Sequence, residues 1–292
     1  GLIADSDYVA EQEELLNVFS QVFVGMAEVV RSELQGFCYV GPLREKPSRE
    51  YVSPRFPDPS RWATGLGAWD MLHSADNALI TEVNIWLKKD FCLDTGYAVW
   101  PKEPLLLDPE HPLYNSLVSY QAFDQFEDLA QELHKLPKHK HLVLTDQTGL
   151  PLAIQDVGEG IAQVLPVVVA ILQQDAAVVQ IEQPELHLHP RQQAALGDLL
   201  IRGTLGKPRK IILGETHSEH LVLRILRRIR QTANNEQLHT GPVRPEDVAI
   251  YYVDKEEGKP TEVFEIAIGE DGEFLQPWPD SFFDQDYEER YG

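Results

Sequence analysis

Three short runs bring chemically active side chains together with signals of a strand passing into a helix. The first reads Ile181-Glu182-Gln183-Pro184-Glu185-Leu186-His187-Leu188-His189-Pro190 and follows the β-branched apolar stretch 176–181. It sets a carboxylate, an amide and a second carboxylate at the end of a buried strand, where open α/β sheets place their ligands. The hard oxygens of Glu182 suit the magnesium ion of a nucleotide there. The second run, Gly214-Glu215-Thr216-His217-Ser218, again passes from strand to polar turn to helix, and its imidazole could reach a terminal phosphate. In the third, Asp156-Val157-Gly158-Glu159-Gly160, small residues precede a helix. The exposed backbone N–H groups of such a start suit an anion.

Each run alone has a plainer reading. Glu182 could be a surface acid at a strand end, and His217 a helix-start histidine with its hydrogen bonds satisfied within the chain. His187 and His189 flank a leucine and, with Glu185, could build a metal-dependent hydrolase. Two imidazoles do not close a metal site, and no further His or Cys stands at a suitable local spacing.

The elements that must position these runs follow from periodicity. Apolar stretches at 142–145 and 152–155 around Thr148-Gly149 predict a hairpin. Residues 161–173 are apolar nearly all round and predict a buried helix bent by Pro166. A strand over 176–181 follows, then a helix over 190–202 opened by Pro190 and closed by Gly203. A strand at 211–213, a helix at 218–231 and strands at 248–253 and 263–268 complete the series. Strands alternating with helices predict an α/β layer with a parallel sheet.

Upstream, Leu15, Phe19, Val22, Met26 and Val29 alternate spacings of four and three, which predicts a long amphipathic helix over 9–34. A core-packing helix is its plainer reading and a protruding arm the alternative. A short strand over 36–40 is stopped by Gly41-Pro42, and 46–66 reads as a surface loop. Residues 69–87 predict a helix, 97–107 extended structure, and 123–136 an amphipathic helix with Phe126, Leu129 and Leu133 on one face. The expected division is a helical arm segment over 1–36, a strand with a helical and loop insertion over 37–140, and the core lobe over 141–292.

Composition bounds these readings. With 43% hydrophobic and 25% charged residues over 292 positions, the chain is neither disordered nor collagen-like. The longest apolar run, 164–172, falls well short of the roughly 18–20 residues of a membrane span. No secretory signal is visible at the start, and two cysteines, Cys38 and Cys92, build no disulfide framework, which fits a reducing cytoplasm. A formal net charge of -22 disfavours general binding to phosphate backbones. It leaves nucleic acid possible at local basic spots, Lys207, Arg209, Lys210, Arg224, Arg227, Arg228 and Arg230, although a solvated helix face is the expected reading of the arginines.

Taken in order, the runs that begin at Asp156, Ile181 and Glu215 resemble the carboxy-terminal half of an ABC-type AAA-family ATPase of the SMC-like and OLD-like branch, common in bacterial anti-phage systems. Tyr39-Val40-Gly41-Pro42-Leu43-Arg44, Trp278-Pro279 and Phe282-Phe283-Asp284-Gln285-Asp286 are similar to stretches of the same group. The resemblance implies a P-loop NTPase-like head that uses ATP and Mg2+. By position, Gly158, Glu159 and Gly160 would be the signature motif that contacts nucleotide held by a partner subunit. Glu182 would be the Walker B acid and His217 the switch histidine. Two departures stand out: Val157 occupies the place of the signature serine, and Gln183 that of the catalytic glutamate, with Glu185 the nearest substitute base.

A Walker A motif is missing. The run Gly203-Thr204-Leu205-Gly206-Lys207-Pro208 lacks its spacing and the Ser/Thr after Lys, and is expected to be a loop ahead of a strand. The resemblance therefore implies an amino-terminal Walker A lobe cut away or supplied by another chain. It further implies a homodimeric or higher assembly through ATPase heads, control of an effector protein, and no membrane. The leading expectation is an ATP-hydrolysing head; the alternative, favoured by Gln183, is an ATP-responsive scaffold with little or no hydrolysis.

Overall fold

The computed structural model of the protein describes residues 15–16, 18–49, 51–118, 129–137, 140–255 and 258–278. Along the chain run α1 (Gly25–Gln35), β1 (Phe37–Val40), α2 (Leu66–Ser74), α3 (Asn77–Lys88), β2 (Ala98–Lys102), α4 (Pro112–Val118), α5 (Leu129–Lys135), β3 (His141–Thr145) and β4 (Pro151–Leu152). After these come α6 (Glu159–Leu172), β5 (Val178–Glu182), α7 (Pro190–Leu205), β6 (Ile211–Glu215), α8 (Glu219–Ala233), β7 (Ile250–Asp254) and β8 (Glu262–Ile266). As expected, the fold is α/β around a parallel sheet with flanking helices. Its order is β1-β5-β6, with Tyr39 opposite Gln180 and Glu182 opposite Glu215. The expected hairpin is present as β3 and β4, and β2 pairs with β3 to extend it.

Alternation decides which face of the parallel sheet is covered. Val40, Val179 and Ile181 point into a core shared with Val164, Leu165 and Val168 of α6 and Leu196 and Leu199 of α7, all fully buried. Each such side chain contributes roughly 1.5–3 kcal/mol. The residues between them point to the opposite face, where Phe37 is 37% exposed, Ile211 62% and Leu213 51%. Helix α6 is buried all round as its composition predicts. Its interior Pro166 sits beside Gly65, whose φ of +78° and lack of a side chain admit the ring: a Cβ there would lie 3.1 Å from Pro166 Cγ.

Several expectations are corrected. The helix read over 69–87 is two, because Ala75 and Asp76 turn the chain and Asp76 caps α3 by accepting the Leu79 N–H at 3.0 Å. Gly203 does not end α7, which runs on to Leu205. It lies inside the helix where a Cβ would come within 2.6 Å of Ile171 and 2.8 Å of Ile212, so close packing is what demands glycine. The first half of the Walker A-like run is thus the last turn of α7, and its second half, 206–208, belongs to the loop ahead of β6. Strands β7 and β8 form an antiparallel pair of their own and do not join the parallel sheet.

The amino-terminal helix does not pack on the core. A π-helical segment, Ser20–Val24, leads into α1, and neither holds a buried residue. Leu15, Phe19, Val22, Met26 and Val29 are all exposed, so the stripe stands clear of the molecule; residues 9–14 of the expected helix lie outside the described residues. Likewise α5 matches the end of the helix expected over 123–136, while Phe126 lies outside the described residues.

Two arginines of α8, Arg224 and Arg228, depart from the expected solvated face, on which Arg227 does lie exposed. Asp198, fully buried on α7, accepts from Arg224 Nη1 at 2.7 Å and from Arg228 Nε and Nη2 at 2.7 and 2.8 Å. Arg230 reaches the Asp271 carbonyl at 3.1 Å and pairs with Glu273. These bonds fasten α8 to α7 and to the turn after β8. Both cysteines are buried free thiols, and burial pushes each up to about 12. Among the described residues no helix is long and apolar enough to cross a membrane.

Lys210, another of the basic residues, is buried and donates from Nζ to the carbonyls of Ile171, at 2.8 Å, and Gln173, closing the end of α6. Burial pulls its pKa from 10.5 down to about 8. Between those values the unfolded chain binds more protons than the folded one, so this group makes stability rise with pH. We expect the unfolding free energy of wild type, relative to Lys210→Met, to increase by about 1–3 kcal/mol from pH 8 to pH 10.5 in urea melts. A difference that stays flat would show that the ammonium is well solvated.

Candidate functional site

The carboxyl ends of β5 and β6 lie side by side, and opposite residues of parallel strands share a face. Glu182 and Glu215 therefore stand together at the edge of the sheet. Tyr39, on the same face of β1, donates its hydroxyl to Glu182 Oε1 at 2.7 Å. Beyond β5 the chain turns sharply: Gln183 has φ +44° and its N–H donates to Glu215 O at 2.8 Å. A left-handed conformation is uncommon for a residue with a side chain and persists where neighbours hold it.

What holds it is Arg44, only 3% exposed. The guanidinium donates to the carbonyls of Glu182, Gln183 (3.3 Å) and Gln163 (3.5 Å). Gln163 grips Arg44 in return, accepting the Arg44 N–H at 3.1 Å and donating to its carbonyl at 2.8 Å. Burial pulls the Arg44 pKa down to about 10 against the opposing pull of Glu185 and Glu182, so the group stays charged at neutral pH.

The turn then closes on itself. Leu186 N–H donates to Gln183 O at 3.2 Å and Leu188 N–H to Glu185 O at 3.1 Å, with His187 at φ +62°. His189 starts α7, its Nδ1 accepting the Arg191 N–H at 3.3 Å while Gln192 Oε1 accepts the His189 N–H at 3.3 Å. One imidazole of the expected metal pair is thus a helix cap. Among the described residues no group of three or more His, Cys, Asp or Glu is arranged to hold a metal ion.

Glu185 lies inside this turn, 8% exposed, and its Oε1 accepts the backbone N–H of His217 at 2.7 Å. Its Oε2 is buried and meets no hydrogen-bond donor among the described residues. Ser218 caps α8 through Leu221 N–H at 3.1 Å and donates to Gln193 of α7 at 2.8 Å, which fixes the residue after His217.

The third run is drawn to the same turn. Gly158 caps α6 with no side-chain hydrogen bond, leaving first-turn N–H groups for which an anion is a fitting partner. A Cβ on Gly160 would come within 2.9 Å of His187 O, so only glycine lets α6 start this close to the turn after β5. Lys46 pairs with Glu159 Oε1 at 2.8 Å and donates to Val157 O at 3.2 Å, and Arg49 pairs with Asp156. Val157 itself is 6% exposed and belongs to the core.

The structure therefore sets Glu182 and Gln183 beside Glu215, bonds Glu185 to the His217 amide, and brings Gly158, Glu159 and Gly160 against the turn through Gly160. Tyr39, Arg44 and Gln163 are the parts that residue types and spacing did not single out, since Tyr39 and Arg44 meet Glu182 across 143 and 138 residues of chain. The donor set fits part of a magnesium nucleotide: Glu182 offers a hard oxygen and α6 an uncapped start. Lys207 lies just beyond the end of α7.

The family described as "AAA domain, putative AbiEii toxin, Type IV TA system" matches residues 77–224 of the 292. The chain belongs to this AAA domain family. A second family, "Protein of unknown function (DUF3696)", matches residues 243–289. No curated protein matches the sequence. Among solved structures, the chain is similar to an Smc head domain with an extended coiled coil, bound to the C-terminal domain of ScpA, from Pyrococcus furiosus. The identity is 11% and the TM-score 0.38, over 65% of this chain and 35% of that one. A structure described under ATP-driven dimerization and DNA stimulated activation of SMC ATPases gives 12% and 0.36, over 65% of this chain and 84% of that one. The chain thus spans about a third of the first of these. The AAA match begins after β1, so Tyr39 and Arg44 reach into the AAA segment from outside it.

Arg44→Ala should cost roughly 2–5 kcal/mol of unfolding free energy, because it strands the carbonyls of Glu182 and Gln183 and leaves Glu185 without its nearby cation. Arg44→Lys, keeping charge but not the planar fork, should fall between. Urea melts of both variants check this, and a loss under 1 kcal/mol for alanine would mean that the clamp is idle.

Proposed function

We propose that this chain is the signature-bearing half of an ATP-binding and hydrolysing ABC-type AAA head, with nucleotide sandwiched between two heads to control an associated effector protein. The observation that carries the reading is the hydrogen-bonded set at one sheet edge, Glu182 with Tyr39, Gln183 with Glu215, and Glu185 with the His217 amide. The AAA domain match supports it. In this reading the protein belongs to the SMC-like and OLD-like branch, acts in the cytoplasm, and serves anti-phage defence.

When bound, ATP with Mg2+ supplies a phosphoanhydride bond and a Lewis acid. Glu182 orients the ion's ligand sphere with its carboxylate. His217, anchored through its own backbone, presents an imidazole toward the terminal phosphate. The N–H groups that follow Gly158 face nucleotide held by a second head. Gln183 donates to and accepts from water, which it can position but not deprotonate.

The phosphate cradle comes from a further lobe. Two features support such a lobe. Strand β6 pairs only with β5 among the described residues, and the sheet face carrying Ile211 and Leu213 is bare. Parallel sheets are ordinarily covered on both faces, and an unpaired strand edge invites another strand. A second reading, an ATP-responsive scaffold with little hydrolysis, is favoured by one observation: the place of the base holds the amide Gln183.

This chain alone should bind ATP weakly and hydrolyse it negligibly with Mg2+. In the protein completed by its Walker A lobe, Glu182→Gln should suppress magnesium-dependent turnover, and His217→Ala should slow it by roughly 10²–10⁴-fold without early melting. Phosphate release and thermal melts measure both. Robust turnover by the chain alone, or unchanged turnover in the two variants, would defeat the proposal.

A further inference from the structure

We infer that Glu185 is a positioning residue that fixes the backbone carrying the switch histidine, and not the base that removes a proton from the attacking water. The inference rests on the ATPase reading for its kinetic consequence, while its structural half stands on the hydrogen bond alone.

The sequence offers Glu185 as a substitute base because it is the carboxylate nearest to Gln183. Its surroundings assign it other work. One oxygen is taken: Oε1 accepts the His217 N–H at 2.7 Å, a short bond in the range of charge-assisted contacts. The other, Oε2, is closed off from solvent and has no donor among the described residues. A general base must stand within hydrogen-bond reach of the water it activates. A residue 8% exposed, with one oxygen bonded to the neighbouring loop and the other buried, offers no such route.

What the carboxylate does instead is span two loops. On its own side the backbone is pinned at Gln183 by Arg44 and by Glu215, and at Glu185 itself, whose carbonyl accepts the Leu188 N–H at 3.1 Å. Across the gap, residues 216–218 join β6 to α8. They are held at one end by the strand pairing of Glu215 with Glu182 and at the other by the Ser218 cap. His217 lies between these fixed points, and the Glu185 carboxylate is the bond that holds its amide. The same turn meets α6 at Gly160, so one rigid segment sets the spacing between the uncapped helix start and the switch histidine. An acceptor is what this role needs, and a neutral amide still supplies one, although more weakly than a carboxylate.

That difference separates the two roles. In the complete protein, Glu185→Gln should keep ATP hydrolysis within about threefold of wild type, because the amide oxygen still accepts the His217 N–H. Glu185→Ala, which removes the acceptor, should lower kcat at least 30-fold with the KM for ATP changed less than threefold. In this chain, hydrogen exchange at the His217 amide should be protected in wild type and Glu185→Gln and at least tenfold faster in Glu185→Ala. If the alanine variant melts early, Glu185→Met, which fills the space without an acceptor, takes its place in both measurements. Loss of turnover in Glu185→Gln equal to that in Glu185→Ala would identify Glu185 as the base and overturn the inference. So would an unchanged His217 exchange rate in the variants that lack an acceptor. If wild type itself neither binds nor hydrolyses ATP, the ATPase reading fails while the exchange measurement still decides whether Glu185 positions His217.

Discussion

Burying the Arg44 guanidinium takes a full charge out of water, which costs several kilocalories per mole unless its donors find acceptors. The acceptors here are the carbonyls of Glu182, Gln183 and Gln163, the first two forming the bend at the end of β5. Three features depend on that arrangement. Gln183 is held at positive φ, which lets its N–H turn back to β6. The turn that follows places Glu185 inward, where it meets His217. His187 O then lies where α6 must approach, and only a glycine at position 160 allows it. A cation on one strand's exit loop thereby sets the relative positions of three other segments, each joined to the next by a bond or a contact.

The same economy explains the polar residues buried away from the site. Asp198 would be costly in the core unpaired, and two arginines one helical turn apart on α8 satisfy it. Asp70 is handled alike, accepting from Tyr51, Ser53 and Arg61 and tying the loop after β1 to α2. Fastened loops and paired helices leave the covered face of the sheet rigid. The opposite face, with the α1 stripe, carries exposed aliphatic side chains. Parallel sheets are ordinarily covered on both faces, so this apolar surface departs from the usual arrangement.

How much of this could be read in the sequence depends on the range of the interaction. Strand β5 and helix α6 were legible because β-branched and all-apolar runs report burial directly. The strand-to-helix motifs around Glu182 and His217 were legible because Pro190 and Ser218 mark helix starts by local chemistry. Gly203 misled, since a glycine required by two isoleucines from other elements looks the same as one that ends a helix. Arg224 and Arg228 of α8 misled for a related reason: their partner Asp198 lies 26 and 30 residues away, and no charge pattern within one helix shows it. Helices α2 and α3 merged because their apolar periods run on through Ala75, and only the Asp76 side chain at the Leu79 N–H separates them. The amino-terminal stripe shows periodicity but not what it faces. Arg44 stood in plain sight, yet its role rests on carbonyl groups, which no side-chain pattern encodes.

An amide at position 183 also becomes intelligible from this geometry. A carboxylate there would sit within the same bend as Glu182, with Glu185 and Glu215 close by on the bonded segments, and Arg44, on the exit loop of β1, is the cation bonded to this turn among the described residues. Three acids around one cation already lean toward excess negative charge, and a fourth would raise the repulsion within the turn. Gln183 keeps the hydrogen-bonding capacity and drops the charge. What the turn offers is then placement rather than charge, set by the bonds of Arg44 and Glu185 and by the close approach at Gly160.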